Sequence, residues 1–116
     1  MDNRRQYTRY AVAVAAEVEA EGETLDAETR DVSEGGVAVV LAQPVTEGSK
    51  VSLTLILTQD GIEDPDEDPF QTEASVMWAA PTDDDRLLVG LRYVAPPPAQ
   101  VQRLKRFLAA VAESGR

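Results

Sequence analysis

The chain has 116 residues, of which 43% are hydrophobic and 28% are charged, and its formal net charge is −10 at pH 7. This size and composition predict one soluble globular domain, and the acidic balance argues against binding to DNA or RNA polymers, which depends on neutralised phosphates. Because the sequence contains no cysteine and no histidine, disulfides, thiolate metal sites and most hydrolase and zinc-enzyme designs are excluded.

Nothing in the sequence predicts export or membrane insertion. No apolar run approaches the ~20 residues that a membrane helix needs, and residues 1–5 lead into no signal-peptide core. We therefore expect a cytoplasmic protein with no membrane partner.

The beginning of the chain is basic, in contrast to the rest. Residues 1–9 carry Arg4, Arg5 and Arg9 against one acid, Asp2. The planar guanidinium group pairs with phosphate and with the O6/N7 edge of guanine, and it also stacks on bases. Residues 1–9 are therefore predicted to form a basic N-terminal arm, with a solvated leader as the alternative.

Three strands are predicted in the first half of the chain. A period-two pattern begins at Tyr10 and places Val12, Val14, Ala16 and Val18 on one face, opposite Glu17 and Glu19, and alternation resumes from Thr24 to Arg30 after a turn at 21–23. The continuous apolar run Val37–Leu41 predicts a strand that is covered on both faces. Short turns between them indicate an antiparallel meander.

Three more strands are predicted at 51–57, 70–80 and 87–93. In the second of these, Ala74, Val76 and Trp78 share one face, so Trp78 is predicted to lie in the core, with a ligand platform as the alternative. The acidic segment 58–69 is predicted to be a solvated, mobile loop. It lacks the ligand spacing of an EF-hand, so no metal site is predicted there.

A single helix is predicted at the end of the chain, over residues 98–113. Three prolines, Pro96 to Pro98, end the strands, and Val101, Leu104, Leu108 and Val111 then form one apolar stripe. The outward face is predicted to carry Gln102, Arg103, Lys105 and Arg106. The fold class is therefore mainly all-β: a six-stranded antiparallel β-barrel (residues 10–95) with one C-terminal α-helix.

The segment Asp31-Val32-Ser33-Glu34-Gly35-Gly36 lies between the second and third predicted strands. Asp31 offers acceptor oxygens and Ser33 a hydroxyl, while Gly35 and Gly36 can reach positive φ and let backbone N–H groups converge on a ligand. The segment is therefore a candidate binding loop, and an ordinary turn is the alternative.

Together, Arg5-Gln6-Tyr7-Thr8-Arg9 and the segment 31–36 resemble the two-part signature of the PilZ domain family, RxxxR followed by (D/N)xSxxG. Twenty-one residues separate Arg9 from Asp31. The resemblance extends to the strand at Lys50, the strand around Trp78, the segment 90–94 and the closing helix. All five signature positions are matched, by Arg5, Arg9, Asp31, Ser33 and Gly36, with Gly35 a common addition.

The resemblance implies a six-stranded β-barrel that binds the bacterial second messenger cyclic di-GMP, as a ligand and not as a cofactor. Arg5 and Arg9 would meet phosphate and the guanine edge, and Asp31 would accept guanine N–H groups. Ser33 and the Gly35-Gly36 backbone would allow close approach. Arg4 resembles an arginine that, in some family members, accompanies two intercalated ligand molecules.

The implied role is that of a receptor and not of an enzyme. We expect the arm to fold onto the barrel when the ligand binds and the signal to pass to a separate protein. One alternative is a degenerate PilZ-type adaptor that binds a protein and no nucleotide. The other is an enzyme or metal-binding protein that uses the carboxylate cluster.

Overall fold

A computed structural model describes residues 8–57 and 69–114 of the chain. Its elements are β1 (Ala15–Ala20), β2 (Glu23–Val32), β3 (Gly36–Leu41), β4 (Lys50–Leu55), β5 (Phe70–Pro81), β6 (Leu87–Val94) and α1 (Pro98–Ser114). The strands form a closed barrel in the order β1-β2-β3-β6-β5-β4, and every neighbouring pair is antiparallel. The predicted fold class is therefore confirmed.

The interior of the barrel is filled by the inward side chains of all six strands. Val18, Val39, Leu53 and Val89 are at most 1% exposed, as period-two alternation requires. Each such side chain contributes about 1.5–3 kcal/mol by leaving water. As predicted, β3 is covered on both faces, since all six of its residues are buried.

Helix α1 packs against the same core. Its buried side chains Leu104, Phe107 and Leu108 belong to the cluster that fills the barrel. The side-chain oxygen of Gln100 accepts a hydrogen bond of 3.1 Å from the backbone N–H of Gln71, which ties the start of the helix to β5. Arg103, predicted to face outward, is instead partly buried, and its Nη1 atom is inaccessible to solvent. A long side chain can lay its stem along the core beside a buried stripe.

Five chain segments meet at one end of the barrel, which we call the loop end. They are the start of β1, the β2–β3 loop, the end of β4, the start of β5 and the end of β6. The turns between β1 and β2 and between β5 and β6 lie at the opposite end. The loop between β2 and β3 is therefore built on strand ends whose positions the barrel fixes.

The first and fourth strands are shorter than predicted. Regular pairing begins at Ala15 and not at Tyr10, because the side chain of Thr29 enters the ladder: its hydroxyl donates to the Val12 carbonyl at 2.6 Å and accepts the Val14 N–H at 2.9 Å. The fourth strand ends at Leu55, two residues before the predicted end.

The prediction that Trp78 lies in the core is wrong. A β-bulge between Val76 and Trp78 shifts the register of β5 against β6, and Trp78 pairs with Gly90 on the outer wall. Met77 and Trp78 are 50% and 39% exposed. One extra residue in a strand moves the following side chains to the other face.

Glycine at position 90 is required by the indole that lies on it. A Cβ atom at this position would be 2.3 Å from both Cε2 and Nε1 of Trp78. We therefore predict that Gly90→Ala lowers the free energy of unfolding by about 1–3 kcal/mol through overpacking, as measured by urea denaturation. In a Trp78→Ala background the same substitution should cost much less. An equal cost in both backgrounds would show that the indole is not the obstacle.

Candidate functional site

The β1–β2 hairpin brings Arg9, the last residue of the first half of the signature, beside the second half. Its two-residue turn has positive φ at both positions, 53° at Glu21 and 83° at Gly22, which is the geometry of a tight hairpin turn. Pairing runs from the turn to Ala15 and Glu28, and a bridge beyond it joins Tyr10 to Val32. Arg9 therefore lies beside the β2–β3 loop, although 22 positions separate it from Asp31.

Arg9 and Asp31 form an ion pair at the loop end. Nη1 of Arg9 donates to Oδ1 of Asp31 at 2.7 Å, and the two side chains are 35% and 27% exposed. The backbones of Tyr10 and Val32 exchange two N–H···O bonds of 2.9 Å directly beside this pair. The strand pairing thus holds a cation and an anion together where solvent and a ligand can reach both.

Ser33 has its hydrogen-bonding capacity filled within the loop. Its hydroxyl donates to the Gly36 carbonyl at 3.0 Å and accepts the N–H groups of Gly35 and Gly36 at 3.2 and 3.1 Å. One donated and two accepted bonds are all that a hydroxyl forms. Since Ser33 is also only 3% exposed, its hydroxyl closes the turn from a buried position.

Gly35 and Gly36 do not use the positive φ that glycine can reach. Neither has positive φ, and their N–H groups converge on the Ser33 hydroxyl and not on an open anion site. Glycine is nevertheless required at position 36, because a Cβ atom there would lie 2.4 Å from the carbonyl oxygen of Leu91. This glycine allows β3 to approach β6 closely.

Tyr93 is part of the candidate site, although the sequence indicated it only as a residue of the sixth strand and of the segment 90–94. Its hydroxyl donates to the Ser33 carbonyl at 3.0 Å, and its backbone N–H donates to the Gly35 carbonyl at 3.2 Å. Its ring meets Phe70 edge-on with 5.1 Å between centroids. Burial raises the pKa of Tyr93 above its ordinary value, the Arg9 charge opposes that rise and the Asp31 charge adds to it. The hydroxyl of a tyrosine at an inward-facing strand position needs a hydrogen-bond partner. This requirement was the feature of the sequence that could have indicated a contact between Tyr93 and the loop.

A cation and an aromatic face continue the site along the outer wall of the barrel. Arg92 is exposed and pairs with Gly36 at the foot of the loop. Gly90 lies two positions earlier on the same strand, and the indole of Trp78 packs against it. The sequence analysis did not select Arg92, because nothing in the alternation distinguishes it from an ordinary outward-facing charge.

Three sequence predictions fall outside the described residues: those for Arg4, Arg5 and the acidic segment 58–68. Within residues 8–57 and 69–114, no group of three or more acidic, histidine or cysteine side chains is arranged to hold a metal ion. The helix found in this part of the chain is too short and too polar to span a membrane.

The ion pair should contribute little to stability, because exposed pairs are typically worth about 0–1 kcal/mol. We predict that Asp31→Ala changes the free energy of unfolding by no more than about 1 kcal/mol in urea denaturation. A loss above about 2 kcal/mol would instead assign Asp31 a structural role.

The fold resembles solved structures of proteins from Escherichia coli and Bacillus subtilis. The PilZ domain of YcgR from Escherichia coli with c-di-GMP superposes with a TM-score of 0.77 at 17% identity, covering 98% of this chain and 95% of that one. The Bacillus subtilis inhibitor of motility MotI/DgrA gives a TM-score of 0.80 at 22% identity, covering 99% and 54%. YcgR from Escherichia coli in complex with c-di-GMP gives 0.78 at 19% identity, covering 97% and 48%.

The chain thus spans about half the length of MotI/DgrA and of the longer YcgR chain. At these identities the likeness concerns the fold. A comparison with curated proteins found no match. The family model of the PilZ domain, however, matches residues 3–110, which include both halves of the signature, all six described strands and most of the helix. On this match the chain belongs to the PilZ domain family.

Proposed function

We propose that this chain is a receptor for cyclic di-GMP that passes the signal to a separate protein. PilZ domains are ligand-binding receptor or adaptor domains and not enzymes, and the family binds cyclic di-GMP as a ligand. One observation carries the proposal for this chain: strand pairing holds Arg9 and Asp31 2.7 Å apart at the loop end, with both side chains partly exposed.

The chemistry of this pair fits the ligand. Cyclic di-GMP presents two phosphates and two guanines, so its site needs cationic donors and at least one acceptor for guanine N–H groups. Arg9 supplies the donors for phosphate or for the O6/N7 edge. Asp31 supplies the acceptor, and one bond from Arg9 leaves most of the lone pairs of its carboxylate available.

Two described residues extend this proposed site beyond the sequence signature. Arg92 offers a second exposed cation beside the loop, and Trp78 offers one face of its indole while Gly90 backs the other. An aromatic face stacks on a purine for about 1–3 kcal/mol. Arg4 and Arg5 would add further cations from the arm.

Ser33, Gly35 and Gly36 have a different role in this proposal from the one expected of them. They shape the loop instead of contacting the ligand, because the Ser33 hydroxyl holds both glycine amides. Gly36 also gives β3 its close approach to β6. The ligand would then meet the loop through Asp31 at its beginning.

The test is calorimetric titration of the folded protein with cyclic di-GMP. We predict that Arg9→Ala and Asp31→Ala each weaken binding about tenfold or more, which corresponds to losing one charge-assisted hydrogen bond. The matched control is Arg86→Ala. Arg86 pairs with Asp84 at the same 2.7 Å, is more exposed and lies at the opposite end of the barrel, so its loss should leave the affinity unchanged.

A wild-type protein that shows no binding at high micromolar ligand would sink the receptor proposal and leave the adaptor. Equal losses in the variants and the control would show that general charge, and not this site, attracts the ligand. The same titration counts ligand molecules per chain. Two would support the intercalated pair that Arg4 suggests, and one would exclude it.

The second part of the proposal divides the domain into an N-terminal arm (1–9), the barrel (10–95) and the helix (98–113). Binding of the ligand orders the arm against the barrel. The described contacts hold the arm at its inner end, through the Arg9 ion pair and the backbone of Tyr10. Ordering therefore concerns the residues before Arg9.

We predict that saturation with cyclic di-GMP raises the backbone order parameters of residues 2–8 and leaves that of Tyr10 nearly unchanged, as measured by nitrogen-15 relaxation. The physical reason is that Tyr10 is already paired with Val32 without ligand. Unchanged order in residues 2–8 would contradict an ordering signal, whatever the affinity.

A further inference from the structure

Tyr93 holds the β2–β3 loop at two points from one strand position. Its backbone N–H donates to the Gly35 carbonyl at 3.2 Å, and its hydroxyl donates to the Ser33 carbonyl at 3.0 Å. The two acceptors lie on both sides of Glu34, which is exposed. One residue of β6 thus contacts the tip of the loop from the core side and fixes its orientation.

The phenol reaches the loop from within the core. Tyr93 is 7% exposed, belongs to the buried cluster and packs edge-on against Phe70. Phenylalanine at this position would keep that packing but would lose the donor. The Ser33 carbonyl would then be left without its donor in a buried place, which favours a shift of the loop toward water.

The loop contributes its own closure through Ser33. Its hydroxyl forms three hydrogen bonds within residues 33–36, and the backbone N–H of Ser33 also donates to the Gly36 carbonyl at 2.9 Å. The turn and the Tyr93 hydroxyl therefore stabilise each other, because Ser33 both closes the turn and provides the carbonyl that Tyr93 binds. Asp31 precedes this unit by two positions, at the end of β2.

We infer that Tyr93 is a positioning residue for the binding loop: its hydroxyl, through the Ser33 carbonyl, keeps the turn closed and the Asp31 carboxylate aimed beside Arg9. Ser33 acts in the same unit and makes no ligand contact. The consequence for affinity rests on the proposed function, whereas the consequence for loop shape does not.

The first test uses the ligand-free protein and the variant Tyr93→Phe. Amide hydrogen exchange of Gly35 and Gly36 should become roughly three- to tenfold faster than in wild type, as the loss of one hydrogen bond to the unit predicts. Amides of β4, such as that of Leu53, report global unfolding and provide the correction. The matched control is Tyr10→Phe, because Tyr10 joins the loop region through its backbone. It should leave exchange at both glycines unchanged.

Unchanged exchange at Gly35 and Gly36 in Tyr93→Phe would overturn the inference. This measurement needs no ligand, so it decides the inference even if the wild-type protein does not bind cyclic di-GMP. Failure of the proposed function and failure of the positioning role therefore give different results.

The second test measures affinity for cyclic di-GMP. Tyr93→Phe should weaken binding roughly three- to tenfold, whereas Arg86→Ala, at the opposite end of the barrel, should not. Ser33→Ala should loosen the same two amides in the free protein and weaken binding. If Ser33→Ala weakened binding but left ligand-free exchange unchanged, Ser33 would be a ligand contact. If Tyr93→Phe loosened the loop without weakening binding, its positioning role would be wrong.

Discussion

The pairing register of the β1–β2 hairpin is the constraint on which the proposed site depends. In an antiparallel ladder each residue is fixed opposite one partner, so the length of the hairpin determines which residues meet at its open end. Here the ladder runs from Ala20 and Glu23 to the bridge between Tyr10 and Val32. Arg9 lies one position beyond that bridge and Asp31 one position before it. The number of residues between the two halves of the signature is therefore set by the length of the hairpin.

Buried polar groups secure this register where regular pairing fails. Thr29 is 3% exposed, and its hydroxyl bonds both Val12 and Val14, so the segment before β1 stays attached across the irregularity. Tyr93 performs a similar task for the next loop through two donors. Because each of these groups lies among apolar neighbours, leaving it unbonded would cost about 1–3 kcal/mol. The barrel thus defines the positions of both strands that carry the site.

The sequence predicted the strands and the helix from alternation, and the signature assigned Arg9 and Asp31 to one site, but it did not predict that the two side chains form an ion pair. It failed where a local pattern depended on a distant contact. The bulge that turns Trp78 outward leaves no trace in the alternation of β5. The glycine amides of the loop bind the Ser33 hydroxyl, and the Ser33 carbonyl accepts a hydrogen bond from Tyr93, which is 60 positions away in the sequence.

The distribution of charge reconciles the proposed anionic ligand with a net charge of −10. On the outer wall of β1 and β2, Glu17 stands directly opposite Asp26, a like-charge pair that weakens the ladder and repels anions. At the loop end, Arg9 neutralises Asp31, and Arg92 adds a positive charge beside Gly36. Potentials near a surface follow such local arrangements more than the total charge, particularly within a Debye length of about 8 Å at physiological salt. A small anion bound at Arg9 and Arg92 would therefore lie away from the acidic wall, whereas a long polyanion would meet both.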